Sequence, residues 1–317
     1  MTKRKSNPLL LHRKPLRLKP LHLKLPATSA NLGPAFDAAA IALDLYISID
    51  ARLAEVFSIT ARGRDREICQ NLENHLILTT YAEVLQGAGR NVVPLALKIK
   101  NDIPIGKGCG SSAAARLAGI ALANHFGRLC CTEMQIISEA ARREHHADNA
   151  SASWLGGLTI AGMSEDGATR VVQIRPKGEW PLLLAVPDDA LSTEKARAVL
   201  PAQYPRADAV ANIQNSMMLL AAFTQRRPEL LGFALEDRIH QPYRSEFCPL
   251  LPCLKNLNGT NGILGVALSG AGPSVIIFLD PKVPTAKTRK LIRSCLAESG
   301  LSAELILTRV SSRVSRG

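Results

Sequence analysis

A chain of 317 residues, 46% hydrophobic and 21% charged, is long enough for two domains of ordinary size, each with its own core. Nothing in it approaches the roughly 18 consecutive apolar residues of a membrane span. The seven cysteines (Cys69, Cys109, Cys130, Cys131, Cys248, Cys253 and Cys295) are odd in number and lack CxxC spacing. That speaks against zinc and against a disulfide framework, and they read as small buried residues of a reducing compartment. The net charge of +12 is gathered at one end: residues 1–20 hold seven basic residues and no acid, and removing them leaves +5. The first 20 residues read as an unstructured basic leader, with a nucleic-acid partner disfavoured.

Alternating His22 to Leu25 predicts a first strand ending at Pro26, and Leu43 to Ile49 and Val56 to Ala61 predict two more. A helix follows over about 74–86, then a period-two strand from Leu95 to Lys100. Residues 103–116, IPIGKGCGSSAAAR, come next. Gly106, Gly108 and Gly110 alternate there, allowing close backbone approach to a ligand, and the alanines open a helix whose free N–H groups and positive dipole end favour an anion. The spacing is neither that of a Walker A loop nor GxGxxG. Thr132 with Gln135 forms a capping box for a helix ending near Glu144, with Ile136, Ile137 and Ala140 on its apolar face. A hairpin of Leu158–Ala161 and Val171–Ile174 leads to Pro176 and Lys177, the expected domain boundary. Beyond it the order is strand 182–186, helices 193–199 and 212–224, strands 265–269 and 275–279, helix 285–299 and strand 302–308. That order suits an antiparallel sheet with helices on one face.

The glycine segment resembles the PxGxGxGSSAA motif of the GHMP kinases, and four further segments extend the match over about residues 22–280: PATSANLGPAFD (26–37), EHHADNASASWLGG (144–157), STEKARAVLPAQYPRAD (192–208) with HQPYR (240–244), and GVALSGAGPSVIIF (265–278). Within that family the pattern is similar to the homoserine-phosphorylating branch, with Ala35 and His145 where the branch has Gly and Ala147 where it has Pro. The resemblance implies an α+β fold with a ribosomal-S5-like domain over 21–176, a ferredoxin-like domain over 177–317 and the active site between them. It also implies ATP and Mg2+ as cofactors and phosphorylation of the L-homoserine hydroxyl, a step of threonine biosynthesis, in the cytoplasm. A homodimer is compatible with it.

The site follows motif by motif. Pro104, Ile105, Gly106, Lys107, Gly108, Cys109, Gly110, Ser111, Ser112, Ala113 and Ala114, with Asn74 beside them, are implied to hold ATP. Ser112 and Glu144 are the implied magnesium ligands; a hard cation that keeps several waters needs only one or two protein oxygens. Glu144 closes a helix, where the dipole disfavours an acid, so its presence calls for a reason. For an amino-acid acceptor, Asp37 suits the ammonium, and Arg197 and Arg244 suit the carboxylate through their planar guanidinium forks. Asn31 and His146 are implied to line the acceptor pocket, with Asn149 beside the reacting hydroxyl. No residue stands out as a general base, which fits a loose phosphoryl-transfer transition state; Asp37 is the fallback.

Overall fold

The computed structural model describes residues 18–311 and 314–316. Residues 1–17 of the expected leader lie outside them.

The first half is built on a mixed sheet. Strand β1 (Leu21–Asn31) does not stop at Pro26 but runs on through it, antiparallel to β2 (Ala35–Leu53), with a register shift between Pro26 and Thr28. The shift accommodates a residue that cannot donate to the ladder. At 19 residues β2 is the spine of the sheet, since it pairs β1 along its length, β4 near its end and β5 near its start. The remaining strands are β3 (Ser58–Gly63), parallel to β4 (Leu95–Asn101), and the hairpin β5 (Leu158–Met163) and β6 (Thr169–Ile174). Helices α1 (Arg66–Gln70), α2 (Leu76–Gly87), α3 (Ser111–Gly127), α4 (Glu133–Glu144) and α5 (Asp148–Leu155) complete this half; α3 and α5 pack on β1, and α2 on α3. The capping box at Thr132 forms as read, and Ile136, Ile137 and Ala140 are buried.

The second sheet has order β10-β7-β9-β8, all antiparallel, from β7 (Pro181–Val186), β8 (Ile263–Leu268), β9 (Val275–Leu279) and β10 (Glu304–Arg309). Its helices are α6 (Thr193–Ala198), α7 (Arg206–Thr224), α8 (Leu231–Ala234), α9 (Gln241–Arg244), α10 (Leu250–Lys255) and α11 (Thr285–Glu298). They cover both faces, not one. Leu183, Ala185, Val266 and Ile277 pack with Leu250, Leu254, Ile292 and Leu296 of α10 and α11, whereas Leu182, Leu184, Ile276 and Phe278 join the core that holds Phe223 and Leu231 of α7 and α8. Unbroken apolar runs such as LLLAV and VIIF are the pattern of strands buried on both sides. After β10 the chain returns to the first sheet, where the short β11 (Ser315–Arg316) pairs β1.

Two departures from the GHMP pattern have clear structural outcomes. Ala35 is absent from the residues with positive φ, so its methyl group is unstrained; the left-handed positions of that turn are Asn31, Leu32, Gly33 and Asp37. His145, by contrast, ends α4 with φ 64°, the conformation in which Gly is favoured, and its side chain is exposed. His145→Gly should therefore raise stability by roughly 1 kcal/mol, read as a higher denaturant midpoint at constant slope.

Candidate active site

The loop between β4 and α3 is held open by its glycines and held in place by its neighbours. Gly106, Gly108 and Gly110 all have positive φ, near 70°. A Cβ on Gly108 would lie 2.2 Å from the Ser269 carbonyl oxygen, and one on Gly110 would lie 1.9 Å from Thr28 Oγ1, so neither position admits a side chain. The Thr28 N–H donates to the Cys109 carbonyl (3.0 Å) and the Ser269 hydroxyl to that of Gly108 (2.8 Å). Asp65 accepts from the Ile105 N–H (2.9 Å), and Lys107 reaches out of the loop to the Asp188 carbonyl. Gly110 caps α3 without a side-chain hydrogen bond, which leaves the first-turn N–H groups available to an anion. Burial pushes the Cys109 thiol up to about 12, so it is an inert packing group.

Two cavities meet at this loop and share Gly106, Ser111 and Ser112. One, of about 440 Å³, is walled by Ile47, Ile68, Leu76, Ile77, Ile99 and Ile103, with Asn74 among its lining residues. The other, of about 100 Å³, gathers Asn31, Asp37, Glu144, His146, Asn149, Arg197 and Arg244, together with Asp148 and Thr193. Of the residues read from sequence, Pro104, Lys107, Ala113 and Ala114 line neither cavity. A wider cleft of about 680 Å³ beside Trp180 and Arg309 shares no residue with either.

Ser112 and Glu144 touch, as the motif reading expects: the hydroxyl donates to Glu144 Oε1 at 2.6 Å. Arg116, one turn along α3 and not anticipated from sequence, donates to the same oxygen at 2.6 Å. Glu144 Oε2 has no hydrogen-bond partner among the described residues, so a hydroxyl and a carboxylate oxygen together face the phosphate loop. That hard-oxygen set fits Mg2+. Asp37, His146 and Asp148 form another cluster, with ligand atoms within 4.8 Å of one another. It does not suit a cation, because Arg197 donates to both Asp37 oxygens (2.6 and 2.9 Å).

The residues expected to bind an acceptor's carboxylate are organised around Phe36. Arg197 and Arg244 lie 5.3 and 5.2 Å from its ring centroid, and His240 stacks on it at 5.2 Å. Arg244 is 1% exposed. Its Nε donates to the Ala196 carbonyl (2.9 Å) and its Nη1 to His240 Nδ1 (3.2 Å), and no carboxylate is within ion-pair distance of it among the described residues. Burial, and next the charge of Arg197, lower it to about 10, which leaves it fully charged at neutral pH. His240 is held neutral, lowered to about 4 chiefly by burial; with its Nε2–H donated to the Gly33 carbonyl (2.7 Å), its Nδ1 is the acceptor Arg244 needs. Asp237 accepts from the N–H groups of Ile239, His240 and Gln241 and so fixes the start of α9.

Asn31 lines the pocket, but its amide is engaged by the Gly270 carbonyl (2.7 Å) and the Asp37 N–H (3.0 Å), which sets the direction of Asp37. Asn149 lines the same cavity; its Oδ1 accepts from Thr28 Oγ1 (2.5 Å) and its Nδ2 donates to Asp148 Oδ1 (3.4 Å). Asp148, 1% exposed, accepts from the Asn149 N–H and bonds His146 Nδ1, both at 2.6 Å. Thr28, Phe36, Arg116, Asp148, His240 and Gly270 were thus missed by sequence reasoning, although most lie inside or beside the motifs quoted above.

A glycine loop open to an anion, between an apolar cavity and a small one lined by charged groups of both signs, is the layout of a small-molecule phosphotransferase. The family model for the GHMP kinases N terminal domain matches residues 75–157. A homoserine kinase of Solibacter usitatus is 42% identical over 259 residues, 82% of this chain and 85% of the relative. One from Deinococcus radiodurans is 33% identical over 91% of this chain and 94% of its own. The crystal structure of homoserine kinase from Cytophaga hutchinsonii superposes with a TM-score of 0.79 at 22% identity, covering 97% of this chain and all of that one, and supports the fold. The chain belongs to the homoserine kinase family, within the GHMP kinases.

The pocket makes one electrostatic prediction. Burial would lower the His146 pKa, but the hydrogen bond and charge of Asp148, with Asp37 and Glu144 behind it, outweigh burial and raise it. Asp148→Asn removes the larger opposing contributions and lets burial prevail. An NMR titration should place His146 above the ordinary imidazole range in the native protein and below it in the variant.

Proposed function

We propose that the protein transfers the γ-phosphoryl group of ATP to the side-chain hydroxyl of L-homoserine. The observation that carries this reading is Arg244: a guanidinium sealed from water, beside a second arginine and without a carboxylate partner, calls for an anion from outside the chain. Arg197 already grips Asp37, so at this end of the pocket one carboxylate stands against two guanidinium groups. An α-amino acid corrects that imbalance: its carboxylate adds the missing negative charge at the arginines, and its ammonium takes the place of a guanidinium on Asp37.

The amino-acid end is then held against Phe36, and the hydroxyl end points toward Asn149 and the glycine loop. ATP places its base in the apolar cavity and its phosphates on the loop and the first turn of α3. Magnesium, held by Ser112 and Glu144, would neutralise charge on the phosphates, and Arg116 keeps the Glu144 carboxylate aimed at them. Neither Asp37 nor Asp148 is a free base, since Asp37 has both oxygens on Arg197 and Asp148 is shared between His146 and the Asn149 N–H. Catalysis by positioning and charge neutralisation is what a loose transition state requires. A division near residue 176, with the last strand returning to the first domain, and a cytoplasmic place in threonine biosynthesis belong to the same reading. No helix of the described residues is long and apolar enough to cross a membrane.

Two substitutions separate the two halves of the site. Arg244→Lys keeps the charge but loses the fork, and should raise the homoserine KM by about 30-fold or more while the ATP KM stays within about twofold. An unchanged homoserine KM, or equal weakening of both substrates, would show that Arg244 binds something else. Glu144→Gln should lower kcat by about 100-fold or more, with the melting temperature little changed; near-normal turnover at saturating magnesium would remove Glu144 from the metal site.

A further inference from the structure

None of the seven cysteines has a part in phosphoryl transfer, and the expectation that all are small buried residues holds only for Cys69, Cys109 and Cys248. Cys253 and Cys295 stand out from the rest. They are 42 residues apart in sequence, one on α10 and one on α11, yet their Sγ atoms lie 3.0 Å apart. Each thiol also points at the backbone carbonyl of the other residue, at 3.6 and 3.5 Å, and Ser299 Oγ lies 3.4 Å from Cys253 Sγ. No other two thiols come within hydrogen-bond distance among the described residues. The two helices that present them are fixed by their buried faces: Leu250, Leu251 and Leu254 of α10 share a core with Ile292 and Leu296 of α11. Both cysteines keep some solvent exposure, so a small reagent can reach them.

A disulfide needs sulfurs about 2.05 Å apart, so only about 1 Å of side-chain movement separates these thiols from a bond. We infer that Cys253 and Cys295 form a reversible disulfide site, oxidised by exchange with a low-molecular-weight disulfide, that staples α10 to α11. The thiolate of one cysteine attacks a sulfur of the small disulfide, forming a protein mixed disulfide and expelling one small thiolate. The second cysteine loses its proton, attacks the first cysteine's sulfur and expels the other small thiolate. The protein loses two protons and two electrons, and the small disulfide is reduced to two thiols.

Burial, and next the contact with Cys253, push the Cys295 thiol up to about 11. Its thiolate is scarce at neutral pH, so closure of the bond speeds up as pH rises toward that value. In a reducing compartment the pair rests as thiols, and an oxidising shift closes it. The bond would span β8, β9 and most of α11, and would tie down the stretch that leads directly from Arg244 through α10. Cross-linking a loop of that length restricts the unfolded chain, so the oxidised form should melt higher.

The test uses the full chain incubated with excess oxidised glutathione, followed by alkylation and peptide mapping. The expected product is a cross-linked peptide joining α10 to α11, reversed by dithiothreitol, with a melting temperature raised by on the order of 5 °C. Cys253→Ser and Cys295→Ser should each abolish the cross-link and the thermal shift and leave the remaining cysteine free or carrying a single glutathione. Exposed Cys130 serves as the internal control for reagent activity. Wild-type protein in which Cys130 is glutathionylated, while Cys253 and Cys295 stay free or carry separate glutathiones, would overturn the inference.

Discussion

The active site depends on backbone meeting backbone at the glycine loop. Three segments far apart in sequence close on one another there: the end of β1, the loop before α3, and the Ser269–Gly272 turn between β8 and β9. Thr28 binds the loop from one side and Ser269 from the other, while the Gly270 N–H donates to the Ala30 carbonyl (3.1 Å) and completes the triangle. One corner belongs to the first sheet and another to the second, so the phosphate cradle is also the joint between the two halves of the molecule. A single Cβ at Gly108 would separate them, because the atoms it would strike are carbonyl oxygens of the opposite turn, which cannot rotate away as a side chain can.

The same joint explains how the acceptor pocket is kept polar without collapsing. Asn31 ties the first motif to Gly270 and turns Asp37 toward Arg197, and His240 ties α9 to Gly33 and offers its free nitrogen to Arg244. Each ionic group is therefore aimed by a neutral one whose own hydrogen bonds go to main chain. Phe36 sets its ring within 5.3 Å of Arg197 and 5.2 Å of Arg244, a contact that favours both guanidinium charges. Pre-ordering of this kind lowers the entropy lost when a small substrate binds, and for a ligand with few atoms that is a large share of the affinity.

Most of the strands and long helices were legible from periodicity, because their apolar positions repeat at two or at three to four. Where reading failed, a tertiary interaction overrode the local rule. The strand at residue 22 seemed to end at Pro26, but a register shift carries the ladder past the missing donor. Helices were expected on one face of the second sheet, although LLLAV and VIIF carry no polar alternation and so demand cover on both. The segment from Pro228 to Lys255 shows no helical period because its helices are four to six residues long and are shaped by caps and buried polar groups such as Asp237. Asn31, Asp37, Glu144, Asn149, Arg197 and Arg244, read from the motifs, come together on one cavity, whereas the neighbours that hold them were not read from sequence. Arg116, His240 and Phe36 act through distances that no spacing rule encodes, since their partners lie 28 residues or more away in the chain or act through a ring face.

Burying Arg244 without a carboxylate is costly, and hydrogen bonds to one carbonyl and one imidazole recover only part of what water provided. Such a cost persists where function uses it. Arg244 sits on α9 and is held by α6 through the Ala196 carbonyl, whereas the glycine loop is held by Thr28 of β1 and by Ser269. A carboxylate at Arg244 and an anion on the loop would therefore be held by separate elements of the fold. Ser112, Glu144 and Asn149 line the same cavity as the two arginines. The proposed acceptor site and the glycine loop thus share one cavity while being positioned by different parts of the fold.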